Sequence, residues 1–212
     1  MIVDHFGVDY RVLFFVKKFR EIFIMKNNKK TRILVEIAIF SVLCVILDTF
    51  SFRAWGQGGS ISLQMLPILI ISFRRGLKVG LITGLVFGIL QLILGAYIIN
   101  PFQAFLDYPL AFALVGFGGI FSKNIYKSYI RGKKISLILF IVLGSFLGSL
   151  LRLIVHIISA MIYFGAGAGP HQTVLIYSII YNSSYVIPSF IITTIVLIII
   201  MSSFKGLFFK NV

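Results

Sequence analysis

Apolar runs separated by short basic or glycine-rich intervals occupy the chain from residue 31 to residue 203. A helix that crosses the hydrocarbon core of a bilayer needs about twenty residues and must satisfy its backbone polar groups within itself. On that basis the pattern predicts helices over 31–50, 61–73, 77–95, 103–121, 136–164 and 173–203. The second is short for a full crossing and Pro67 interrupts it. A broken helix leaves room at membrane depth, and irregular backbone is tolerated there where it lines protein or a cavity. The neighbouring segment 51–60 is therefore a candidate lid.

Composition turns this pattern into a fold class. The 212 residues are 59% hydrophobic, with a mean hydropathy of +1.04, more apolar surface than one soluble core of this size would bury. An all-α integral membrane protein follows, six transmembrane helices in one bundle. The formal charge of +14 would suggest nucleic acid in a soluble protein. Here the basic residues lie between the apolar runs and read as topology determinants, so no nucleic-acid partner is expected. Segments 1–32, 74–78, 123–134 and 205–212 hold eight, three, five and two Lys or Arg, whereas 51–60, 96–102 and 165–172 together hold Arg53 alone. That asymmetry places both termini in the cytoplasm.

The single cysteine, Cys44, sits inside an apolar run and is packing material. Residues 1–24 form an extension, read either as a basic helix on the membrane surface or as sequence ahead of a translation start at Met25. Residues 25–212 form a single six-helix substrate-binding domain.

Ionisable groups within the membrane are costly and mark functional positions. Glu36 and Asp48 lie near the two ends of the first helix, where water or headgroups reach them. Arg152 and His156, four apart on the fifth helix, share a face directed inward, and Asp107 on the fourth is available as their countercharge. Tyr97, Tyr108, Tyr177, Tyr181 and Asn182 fall near the outer ends of helices 3, 4 and 6. An interfacial aromatic belt accounts for any one of these tyrosines. Together with a carboxylate, a histidine and an amide, they form a receptor for a flat, cationic, hydrogen-bonding molecule. Trp55 falls in the lid segment.

The segment GGSISLQMLPILIISFRRGLKVGLITGLVFGILQLILG at 58–95, AYIINPFQAFLDYPLAF at 96–112 and YSIIYN at 177–182 resemble the thiamine-specific S component of energy-coupling factor (ECF) transporters. The likeness covers about residues 31–203. It implies a substrate site in which Asp107 is the acidic position followed by Tyr108, His156 flanks the thiazolium ring, and Phe164 stands where some members stack a Trp. It further implies that Tyr177 and Asn182 hydrogen-bond the ligand, that Tyr97 lines the site and that Trp55 belongs to the lid. A small-residue surface on helix 1, here Ala38, Ser41 and Val42, would meet a membrane-embedded coupling subunit.

No GxxxxGK[ST] phosphate loop occurs, so the chain is expected to use no cofactor and to take its energy from partners. The resemblance names them as a coupling subunit and two ATPase subunits in the plasma membrane of a bacterium. Two other readings stay open at the level of sequence: an S component for another vitamin such as riboflavin, and a stand-alone proton-coupled transporter using Asp107 or His156. An enzyme is not expected, because neither HExxH nor GxSxG occurs.

Overall fold

The computed structural model describes residues 29–53, 56 and 58–203. Contacts divide the chain into Met1–Val35 and Glu36–Val212; the first helix begins in the first unit, and the packing below is that of the second.

Six helices follow in order: α1 (Lys29–Thr49), α2 (Met65–Arg75), α3 (Leu77–Ile93), α4 (Pro101–Ile130), α5 (Lys134–Tyr163) and α6 (Val174–Ser203). Among the described residues, α4, α5 and α6 are long and apolar enough to cross a membrane by length and composition, and α3 is a shorter apolar helix. The outward faces suit lipid. On α6, Ile187, Ile191, Ile195 and Ile199 recur every fourth residue and all are exposed, a stripe too large and apolar to face water.

The short helix α2 is the centre of the bundle. Met65, Ile68, Leu69 and Ile71 are wholly buried, and α2 packs on α3, α4 and α6. The structure corrects the expectation that Pro67 interrupts this helix. The helix begins at Met65, so Pro67 falls in its first turn, where no intrahelical N–H is needed and the fixed φ suits the start. Residues 61–64 instead belong to the lid segment, whose ends are joined by an antiparallel bridge between Phe52 and Ile61.

Helix α4 also runs further than the expected end at 121. Beyond it, Ile125 and Ser128 are buried while Lys123 and Lys127 face outward, so an amphipathic turn continues past the apolar stretch. Ser128 pairs with Ser136 of α5 at 2.7 Å across a turn made at Gly132, with φ of 65°.

Close approach of α3 to α4 rests on Gly80, Gly84 and Gly88. A Cβ at Gly84 would collide with the Phe112 carbonyl, and one at Gly88 with the backbone of Tyr108 and Pro109. Small residues at four-residue spacing let backbones meet where lipid supplies no hydrophobic drive. Because helices 2 to 5 alternate in direction, Arg74, Arg75, Lys78, Lys123, Lys133 and Lys134 gather at one end of the bundle. The lid and the polar residues of α4, α5 and α6 gather at the other.

Candidate functional site

Helix α4 is not uniform. Asn100 caps its start, its side-chain oxygen accepting from the Phe102 N–H at 2.8 Å, with Pro101 in the first turn. Pro109 then lies inside the helix, where an α-turn would lose a hydrogen bond. The chain answers with a π-helical turn over Leu106–Leu110, the kind of widened turn that often carries functional residues. Asp107 and Tyr108 stand on this turn, braced from behind by Gly88.

A cleft of about 190 Å³ opens at this end of the bundle. Its lining brings together Tyr97, Asp107, Tyr108, His156, Phe164, Tyr177 and Asn182, seven of the eight residues expected from sequence. The eighth, Trp55, lies outside the described residues. The lining also holds Asp48, Arg53, Gln64, Gln103, Phe112, Arg152, Tyr181 and Tyr185.

Each oxygen of Asp107 has one neutral donor or ring nitrogen beside it. Gln103 Nε2 donates to Oδ2 at 2.6 Å, and His156 Nδ1 lies 3.0 Å from Oδ1. Gln103 is fixed in turn, its oxygen accepting from the Ile99 N–H at 3.1 Å. Arg152 does not reach Asp107 directly. Its Nε donates to His156 Nε2 at 3.2 Å, and its guanidinium lies 4.6 Å over the Phe112 ring. Since Arg is a donor only, Nε2 must accept, and the proton of the neutral imidazole resides on Nδ1, directed at Asp107.

Helix α6 supplies the opposite wall. Tyr177, Tyr181 and Tyr185 recur every fourth residue. The Tyr185 hydroxyl donates to Asn182 Oδ1, and Asn182 Nδ2 donates to the Ser178 carbonyl at 2.8 Å. The amide keeps one N–H and one lone pair for a ligand. Along this wall lies the lid. Gly58 O accepts from the Tyr181 hydroxyl at 2.8 Å, and Ser189 Oγ accepts from the Ser62 N–H at 3.2 Å. Gly59, with φ of 100°, lies so close to the Tyr185 ring that a Cβ would collide with it. Tyr97 and Phe164 close the rim, their ring centroids 6.2 Å apart.

Of the helix-1 residues, Ala38 and Val42 are exposed, whereas Ser41 is buried with its hydroxyl donating to the Thr83 carbonyl at 3.3 Å. Ser41 thus belongs to the α1–α3 contact and not to the outer face that Ala38 and Val42 share. Sequence reasoning passed over Gln64, Gln103 and Tyr185 and assigned Asp48 to the headgroup region. The available signals were a glutamine one helical turn before Asp107 and the four-residue spacing of the α6 tyrosines.

A six-helix membrane bundle with a carboxylate, an imidazole and a wall of tyrosines in a cleft at one end is a membrane receptor or carrier for a small polar aromatic solute. Among the described residues no group of three His, Cys, Asp or Glu could hold a metal ion. The family model for the thiamine transporter protein (Thia_YuaJ) matches residues 34–209, and the chain belongs to that family. It is 44% identical over 176 residues to the thiamine transporter ThiT of Bacillus subtilis, covering 82% of this chain and 92% of that one. ThiT of Lacticaseibacillus paracasei is 28% identical over 188 residues, covering 87% and 94%. A solved structure of ThiT from Listeria monocytogenes superposes with a TM-score of 0.81 at 29% identity, covering 86% of this chain and all of that one.

Proposed function

We propose that this chain captures thiamine at the lid end of the bundle and serves as the substrate-binding subunit of an ATP-driven ECF importer in the bacterial plasma membrane. The observation that carries the reading is Asp107. It lies in a cleft with aromatic walls, and its carboxylate is hydrogen-bonded by groups that leave its charge available. Thiamine presents a thiazolium cation, a flat aminopyrimidine and a hydroxyl. Asp107 balances the cation, His156 and Phe164 flank the rings, and Tyr177 and Asn182 orient the ligand by hydrogen bonds. Tyr97 and Tyr108 complete the wall.

The charge distribution supports an orientation with the lid outside and both termini in the cytoplasm. Energy comes from a coupling subunit and two ATPases, since the sequence carries no phosphate loop, and the exposed Ala38 and Val42 lie on the face offered to the coupling subunit. Titration of the purified chain with thiamine, followed by fluorescence of Trp55, tests the reading. Saturable quenching without ATP or a proton gradient is expected. Tight binding of riboflavin with none of thiamine would overturn the substrate, and uptake by the chain alone in proteoliposomes would overturn the partnership.

A further inference from the structure

Beyond the residues that face the ligand, one chain of hydrogen bonds runs inward from the exposed Arg53 through the buried Gln64 and Arg152 to the site. Arg53 Nη2 donates to Asp48 Oδ2 at 2.7 Å. Gln64, 3% exposed, stands between Asp48 and Arg152. Its amide satisfies both neighbours in one orientation, nitrogen toward Asp48 Oδ1 at 2.8 Å and oxygen toward Arg152 Nη2 at 3.2 Å. Arg152 then donates from Nε to His156, and His156 faces Asp107.

The direction of every bond in this chain is forced. Asp48 only accepts, so the nitrogen of Gln64 faces it and the oxygen faces Arg152. Arg152 only donates, so His156 accepts at Nε2 and keeps its proton on Nδ1. We propose that Gln64 is a positioning residue for the binding site: by holding Arg152 through Nη2 it fixes the His156 tautomer and thereby aims an N–H at Asp107. The carboxylate that receives the ligand is then oriented by neutral donors, while the Arg152 charge is directed toward Asp48. A glutamine does this without an added proton, since it donates to a carboxylate at one atom and accepts from a guanidinium at the other. Outer partners of this kind set ring orientation and tautomer wherever a histidine works in a site.

The inference rests on the thiamine reading for its effect on affinity, but not for the tautomer, which is measurable without ligand. The experiment is ring 15N NMR of the full chain with His5 and His171 replaced by Gln, so that His156 supplies the only imidazole signals. The Nδ1–H tautomer is expected in that protein. In Gln64→Leu, Arg152 loses its anchor, Nε2–H becomes populated and thiamine affinity falls roughly ten- to hundredfold. In Gln64→Glu the new carboxyl shares one proton with Asp48, so it donates to Asp48 at one oxygen and accepts from Arg152 at the other, and the Nδ1–H tautomer persists. An Nε2–H imidazole in the Gln64 protein or in Gln64→Glu would overturn the proposal, as would an unchanged tautomer in Gln64→Leu. The first two measurements stand even where Gln64→Leu does not fold. Failure of the parent chain to bind thiamine would count against the function alone.

Discussion

Two carboxylates at opposite ends of the bundle are nearly equally buried, Glu36 at 13% and Asp107 at 15% side-chain exposure, yet their surroundings differ in kind. Glu36 receives both Nε and Nη2 of Arg75 at 2.7 Å, with Arg74 at 3.7 Å. Asp107 has a glutamine amide and an imidazole. A bidentate guanidinium neutralises a carboxylate and fixes two helices together. Neutral donors fix its orientation and leave its charge for something else. Burial alone does not separate structural from functional acids in a membrane protein; the charge state of the partners does.

The strongest way to break this contrast is at the structural end. Glu36→Ala leaves Arg75 without its carboxylate, and removing one partner of a largely buried pair costs about 3 kcal/mol. Thermal unfolding in detergent should register that loss, with thiamine affinity of the folded fraction unchanged. An affinity loss matching that of an Asp107 variant would dissolve the distinction. Asp107→Asn reverses the pattern. It keeps the shape but removes the charge and turns one of the two acceptor oxygens, which receive Gln103 Nε2 and His156 Nδ1, into a donor, weakening thiamine binding by about 2 kcal/mol, roughly thirtyfold, with a smaller fall in unfolding temperature than Glu36→Ala. Unchanged affinity would remove Asp107 from the cation site.

The same contrast explains what was legible in the sequence. Helix number, the inward face of Arg152 and His156, and six of the seven cleft residues follow from apolar run lengths and from the cost of placing polar groups in lipid, whereas Phe164 is placed by the family resemblance alone. Those signals are one-dimensional and survive without coordinates. Gln64 and Gln103 were passed over because their roles come from neighbours distant in sequence: Gln64 matters only once Asp48 and Arg152 converge on it. Asp48 near a helix end looked solvated, whereas a lid folded back over that end makes it part of the cleft wall. Pro67 was misplaced because helix breaking and helix starting use the same residue, and only the start at Met65 decides between them. The π turn at Leu106–Leu110 depends on packing against Gly88 as well as on Pro109, and no linear pattern announces it.

That turn offers a finer test, because the α3 glycines serve both ends. Gly80→Ala and Gly88→Ala each insert a methyl group into a backbone contact, at the cost of about 1–2 kcal/mol of stability. At Gly80 the methyl group meets Ser72 and the Gly116 carbonyl, away from the cleft. At Gly88 it meets the turn that carries Asp107 and Tyr108. Equal losses of stability are expected, with affinity reduced for Gly88→Ala alone. Equal affinities would mean that the π turn absorbs the displacement without moving the carboxylate.

The smallest effect concerns the rim, where charge balance gives way to stacking. Phe164 closes helix α5 beside Tyr97, partly exposed and free of the packing that constrains the core. Phe164→Trp enlarges the π face offered to the ligand without filling a closed space, so stability should hold. Tryptophan is the strongest cation–π partner, and the gain at an open site is about 0.5 kcal/mol, roughly a twofold tighter thiamine complex. Asp107 and residue 164 then act on the same cation from different sides. In Asp107→Asn the aromatic contribution should persist, so the double variant should show the two effects added. If Phe164→Trp tightens the neutral pyrimidine fragment as much as thiamine, the rim stacks on the uncharged ring, and Asp107 alone answers the charge.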